Sequence, residues 1–137
     1  MSFVALPNRC SPSPIQPEPD AVITNDGFFP DVDSAEIRLI ARISSSVTAD
    51  VLKAAIIAAI VTVSNDLATW AAQQKAKGHA ALDAIPATQI GGVSVLVQQY
   101  KRAVGLYAKA ELIERYRDFD TTAAGGKDLT ELEESIG

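Results

Sequence analysis

The sequence holds one cysteine, Cys10, and one histidine, His79, in 137 residues. A single cysteine excludes an internal disulfide. A cysteine–histidine nucleophile needs both groups held within hydrogen-bond reach. Cys10 instead stands in a proline-rich stretch, and His79 follows a helix end. Spacing for zinc is absent. No apolar run is long: Val51–Val63, "VLKAAIIAAIVTV", has 13 residues and contains Lys53. A membrane span needs about 18, so this run reads as a buried helix and no membrane partner is expected. "MSFVALPNRC" carries no basic leader followed by an apolar run, so no signal peptide is expected there. An excess of positive charge is also lacking. Residues 1–117 hold 11 acids and 11 bases; residues 118–137 hold six acids against Lys127, which accounts for the net charge of −5. Without a basic face, a grip on nucleic acid through its phosphates is not expected.

What the chain does have is aliphatic. The apolar fraction is 47% and the charged fraction 21%, while aromatics reach only 6%. That composition supports a packed core and favours helices. Five of the seven prolines fall in residues 7–19, which reads as an extended arm. Residues 1–26 are assigned to that arm, 27–120 to a helical domain, and 121–137 to an acidic segment that could open a further helix. The fold class is all-α, a small helical bundle of three to five helices behind the extended arm.

Within the domain, Asp33 and Ser34 suit a helix N-cap, and Glu36 stands where a capping box would place it. Val32 against Ile37 would form the accompanying hydrophobic staple, with Ile37, Ile40 and Ala41 as the buried face. Thr48 is the next N-cap. From it, Leu52, Ile56, Ile60, Val63, Leu67 and Trp70 recur at three- and four-residue steps, the mark of one helical face. Lys75, Lys77 and Gly78 form a C-terminal signal, so one helix of about 29 residues, roughly 43 Å long, is expected. Ile57 and Val61 add a second apolar stripe, which suits a bundle centre or a subunit interface. Pro86 and the Gly91-Gly92 pair punctuate a connection. A third helix is expected from Val93 to Arg117, with Leu96, Tyr100, Ala103, Tyr107 and Ala110 inside and Lys101, Arg102, Lys109 and Glu111 outside. Leu129, Leu132 and Ile136 would face one side of a last short helix. No strand and no repeat are expected.

The search for chemistry returns no catalytic, cofactor-binding or metal-binding residues. "GGKD" at 125–128 lacks a phosphate loop's glycine, where Thr121 stands, and its Ser or Thr, where Asp128 stands. Asp118 and Asp120 make at best a two-ligand cation site and read as surface charge. No cofactor is expected.

One stretch stands out. In "NDGFFPDVDS", residues 25–34, half of the four phenylalanines sit side by side before a proline. Pro30 should keep Phe29 extended, sending the two rings to opposite sides, one into the domain and one outward to a neighbour. Phe28, Phe29 and Pro30 are therefore candidate interface residues, with Ile57, Val61, Leu129, Leu132 and Ile136.

"FFPDVD" (28–33), the long alanine-rich helix, "LDAIPATQIGG" (82–92) and "LYAKAELIERYRDFD" (106–120) occur in an order and spacing that resemble the head completion proteins of temperate contractile-tailed phages, the gpL family. The resemblance covers roughly Gly27 to Asp120. It implies a non-enzymatic virion protein of the head–tail connector class, assembled in the host bacterial cytoplasm. Such a protein would dock under the portal protein after DNA packaging as a ring of an expected twelve copies of itself. It would stabilise the filled head, offer the attachment site for tail-completion and neck proteins, and let packaged DNA pass without sequence-specific binding. Members of that family continue past the glycine–lysine loop into a further helix bearing a tryptophan and several bases, whereas the residues here reach Gly137 as a helix begins. The residues alone also fit a helical protein-interaction adaptor without catalytic activity.

Overall fold

The computed structural model describes residues 19–117. Cys10, Asp118, Asp120, Leu129, Leu132 and Ile136 lie outside them. The described residues are mostly helical. A short antiparallel pair, β1 (Val22–Ile23) with β2 (Val32–Asp33), leads directly into α1 (Ser34–Ile40). Then come α2 (Ala49–Asp66), α3 (Ala68–Ala76), one turn of 3₁₀ helix at Leu82–Ala84, a hairpin of β3 (Gln89–Ile90) and β4 (Val93–Ser94), and α4 (Val95–Arg117). α2 and α4 pack along each other, and α1 lies on both.

The helix starts follow the local chemistry. Asp33 caps α1, its carboxylate accepting from Ala35 N at 2.9 Å. Val32 and Ile37, on either side of that cap, are both fully buried, as a staple requires. Glu36 does not close the capping box; its carboxylate pairs with Lys101 at 3.3 Å. Thr48 caps α2 through Val51 N. Leu52, Ala55, Ile56, Ala59 and Val63 form the buried face of α2. Burying each leucine or isoleucine side chain there is worth about 1.5–3 kcal/mol.

Ile40, expected on the buried face of α1, is 40% exposed, and three larger expectations need correction. The single long helix is two helices, bent by 62° at Leu67. Leu67 sits at φ −97°, ψ 4°, outside the helical basin. The bend carries Trp70 to within 6.5 Å of the Phe28 ring. The apolar steps run through the break, so periodicity alone reads it as continuous. Second, residues 93–94 are strand, not helix. Gly91 and Gly92 both have positive φ, 64° and 77°, which a two-residue hairpin turn of this kind demands. Ser94 Oγ then accepts from Leu96 N at 3.2 Å and α4 begins at Val95. Third, the buried face of α4 is rotated from the expected one. Val97, Val104, Ala108 and Leu112 are buried with Tyr100, whereas Tyr107 and Ala110 are exposed and Leu96 and Ala103 half-buried. Lys109, assigned to the outer face, is buried.

Gly105 is where α4 meets α1. A Cβ built there would lie 3.5 Å from Ala41 Cβ and from Ile40 Cγ2, which is ordinary contact. Gly105→Ala is therefore expected to fit and to stabilise the fold by up to about 1 kcal/mol through helix propensity. Gly105→Leu should push α1 off α4 and cost about 1–3 kcal/mol. Urea titrations of the two variants check the opposite signs.

No single described helix is long and apolar enough to cross a membrane. The bent pair α2–α3 passes only jointly, and α2 carries the buried core face described above.

Candidate assembly interface

The aromatic pair is built from the turn upward. Gly27, at φ 96°, turns the chain. Asp26 Oδ1 then accepts from both Phe28 N and Phe29 N at 3.0 Å. Asn25 braces the turn from the other side, its Nδ2 donating to Pro30 O at 3.0 Å and to Tyr100 Oη at 2.9 Å. The two rings do diverge, meeting edge to face at 5.0 Å and 89°. Both nevertheless go inward, Phe28 being 3% exposed and Phe29 4%. Phe29 stacks on Tyr100 at 4.6 Å and 10°. Phe28 meets Trp70 and lies under Lys75 Nζ at 5.2 Å. The outward ring expected from the extended Phe29-Pro30 geometry is thus not found, because the body wraps the turn from two sides with α3 and α4. Pro30 is half-buried.

A partly buried ion pair ties the entry of the chain to α1. Arg38 Nε and Nη2 donate to the two Asp20 carboxylate oxygens at 2.9 Å each, and Nη1 donates to Ser44 O at 2.7 Å. The Arg38 hydrogen bonds hold the Asp20 carboxyl below its ordinary pKa, against an opposing push from burial. A depressed carboxyl contributes stability that is present above the unfolded-chain value of about 3.9 and lost as pH falls through the folded value. Asp20→Asn is expected to cost about 1 kcal/mol near neutrality and to flatten the acid side of the stability profile below pH ~4. Melting temperature against pH, with and without the substitution, reads this.

Sequence reasoning missed Lys109. Its Nζ donates to Ala41 O at 2.7 Å and Arg42 O at 3.2 Å. These carbonyls end α1, where Arg42 takes a left-handed φ of 56°. A cation suits that negative helix end. Burial, and then the Arg42 charge, push the Lys109 pKa down. The available signal was Gly105, one turn before Lys109 on the same face: a residue with no side chain at a close helix contact brings the lysine against the backbone of that partner.

Among the described residues, two of the exposed apolar features bear on assembly. On α2, Ile57 is 43% exposed and Val61 53% exposed, on the side turned away from the core. The second is a groove of about 650 Å³ between α1, the β3–β4 hairpin and the first turns of α4. Exposed Ile40, Ile90 and Val93 line it, with Glu36, Lys101 and Arg102. Gln98 Nε2 donates to Ile90 O at 2.8 Å and Val93 O at 3.0 Å, which ties the hairpin wall to α4. His79 is half-buried in the loop after α3. Among the described residues no group of three or more His, Cys, Asp or Glu could hold a metal ion.

Exposed apolar features on a small helical body mark interaction surfaces. The chain belongs to the phage head completion protein (GPL) family, whose model matches residues 23–137. That family is structural, not enzymatic, and places the chain among phage head components. The chain is 36% identical over 125 residues to the head completion/stabilization protein of Escherichia phage P2, covering 91% of this chain and 73% of that one. It is 33% identical over 97 residues to the probable head completion/stabilization protein of Haemophilus phage HP1 (strain HP1c1), covering 71% of this chain and 65% of that one. No solved structure matches significantly.

Proposed function

We propose that this chain completes and stabilises the filled phage head by docking as a ring under the portal protein, where it offers the attachment surface for tail-completion and neck proteins. The observation that carries this is the pair of separate apolar features, the Ile57–Val61 stripe and the Ile40–Ile90–Val93 groove. A ring needs two different patches per subunit, since head-to-tail contacts close by rotation. Ile57 and Val61 remain candidate interface residues on this reading. Phe28 and Phe29 act indirectly, by fixing the body that presents them. The body is charge-neutral overall, which suits a subunit around a channel, since a grip on DNA draws on excess positive charge.

The test is complementation of a phage lacking this gene. Wild-type chain should appear as a ring at the portal end of purified filled heads, and those heads should keep their DNA. An Ile57→Asp/Val61→Asp chain should fold with stability changed by less than about 0.5 kcal/mol per site yet be missing from heads. Finding the wild-type chain on tails, or only free of particles, overturns the proposal.

A further inference from the structure

We infer that the acidic segment Asp128–Ile136 of one copy docks in the groove between α1, the β3–β4 hairpin and α4 of the next copy. This rests on the ring reading and names one of its contacts. The segment lies outside the described residues, and its part in the argument comes from its sequence. Leu129, Leu132 and Ile136 are spaced by three and four, which places them on one face of a helix. Asp128, Glu131, Glu133 and Glu134 fill the positions between and around them. Laying an apolar face into an apolar groove is a common way for a helix to dock.

The groove matches in both respects. Its walls present Ile40, Ile90 and Val93, each substantially exposed. Its rim carries two bases against one acid. Lys101 is engaged by Glu36 at 3.3 Å, while Arg102 makes no ion pair among the described residues and is left to face an acidic partner. The match is therefore apolar contact with opposite charge at the edge, the arrangement that fixes register.

The ring reading, and not distance, assigns the segment to a neighbour. The groove lies beside Gln98–Arg102, and α4 ends at Arg117. That is about 26 Å of helix to retrace. The ten residues 118–127 reach roughly 33–36 Å only when fully extended. The near end of the groove, where Ile40 meets Gly105, is only about 18 Å of helix back from Arg117, so the connector's length permits either docking, and the cross-link pattern separates them. Segment and groove are also different surfaces, as a closing head-to-tail contact requires.

The test uses the full chain, with Cys10→Ser removing the native thiol. Ile90→Cys in the groove wall and Leu132→Cys in the segment are introduced together, and phage heads are complemented with this chain, purified and mildly oxidised. The expected result is a non-reducing ladder of dimers, trimers and higher multiples, absent from either single-cysteine chain. Arg102→Glu should lower the ladder yield about fivefold, the equivalent of about 1 kcal/mol. The pair Val93→Cys with Leu129→Cys repeats the test if the first chain folds poorly. A cross-linked monomer without a ladder overturns docking on a second copy. Heads that hold the chain but give no cross-link from either pair overturn the inference alone. Heads that lack even wild-type chain overturn the head-docking reading, and this inference with it.

Discussion

Phe29→Ala is expected to lower stability by about 3–5 kcal/mol, a large share of the roughly 5–15 kcal/mol that holds a small domain folded. The ring is 4% exposed and lies flat against Tyr100 at 4.6 Å. Removing it deletes buried area, the stack and the edge contact with Phe28 together. The loss should not stop at a cavity. Tyr100 Oη accepts from Asn25 Nδ2 at 2.9 Å and lies 3.1 Å from Ser64 Oγ, so a shifted Tyr100 loosens the chain entry from both α2 and α4. Phe28→Ala should fall in the same range, since that ring is equally enclosed. Denaturant melts of the two variants make the comparison. If either variant melts like wild type and fails only in assembly, one ring is a surface anchor after all and the burial described above is wrong.

Lys109→Glu is expected to be nearly as damaging, about 3–5 kcal/mol. The substitution replaces a buried cation that donates to two carbonyl oxygens with a carboxylate that must face them. Ala41 O and Arg42 O would lose their donor at the negative end of α1. Lys109→Met keeps the length and the apolar stem and removes only the donor; its cost should be smaller, about 1–3 kcal/mol. The ordering Glu above Met is the diagnostic outcome of parallel thermal melts. Equal melting of both with wild type would mean that the lysine is solvated and that α1 ends without it.

The legible parts of the fold were those written in local chemistry. Asp33 and Thr48 begin helices because their side chains satisfy first-turn N–H groups, and any reading of the sequence meets them. Gly78, at φ 92°, ends α3 where a left-handed residue is needed. Leu52, Ile56 and Val63 are buried as their spacing requires, since α2 is straight over that span. What was hidden depends on partners distant in sequence. Val63, Leu67 and Trp70 keep helical spacing through a 62° bend, and no glycine or proline marks the break in the sequence. α4 offers two apolar stripes, and the choice between them is made by α1 sliding in at Gly105. The two-residue ladders are too short for alternation to register. Lys109 reads as surface charge until the end of α1 is set beside it.

The candidate interface was legible only in part. Ile57 and Val61 form a stripe in excess of what one contact needs, and they are exposed in the single subunit. The groove was not seen, since Ile40, Ile90 and Val93 come from three elements and carry no shared spacing. The double phenylalanine is part of the core and not an outward anchor. Two adjacent rings can both be buried when the chain turns sharply at Asp26-Gly27 and the body closes over each from a different side.

The clasp of Asn25 on Tyr100 spans 75 residues, and this sets an order of events during synthesis. At bacterial elongation rates of about 5–20 residues per second, roughly 4–15 s separate the emergence of the two partners. Throughout that interval Phe29 lacks its stacking partner on α4, and closing so long a loop carries an entropic cost that only the final contacts offset. The nascent chain therefore cannot complete its core early. A translation pause placed between residues 30 and 95 should lengthen its exposure to chaperones.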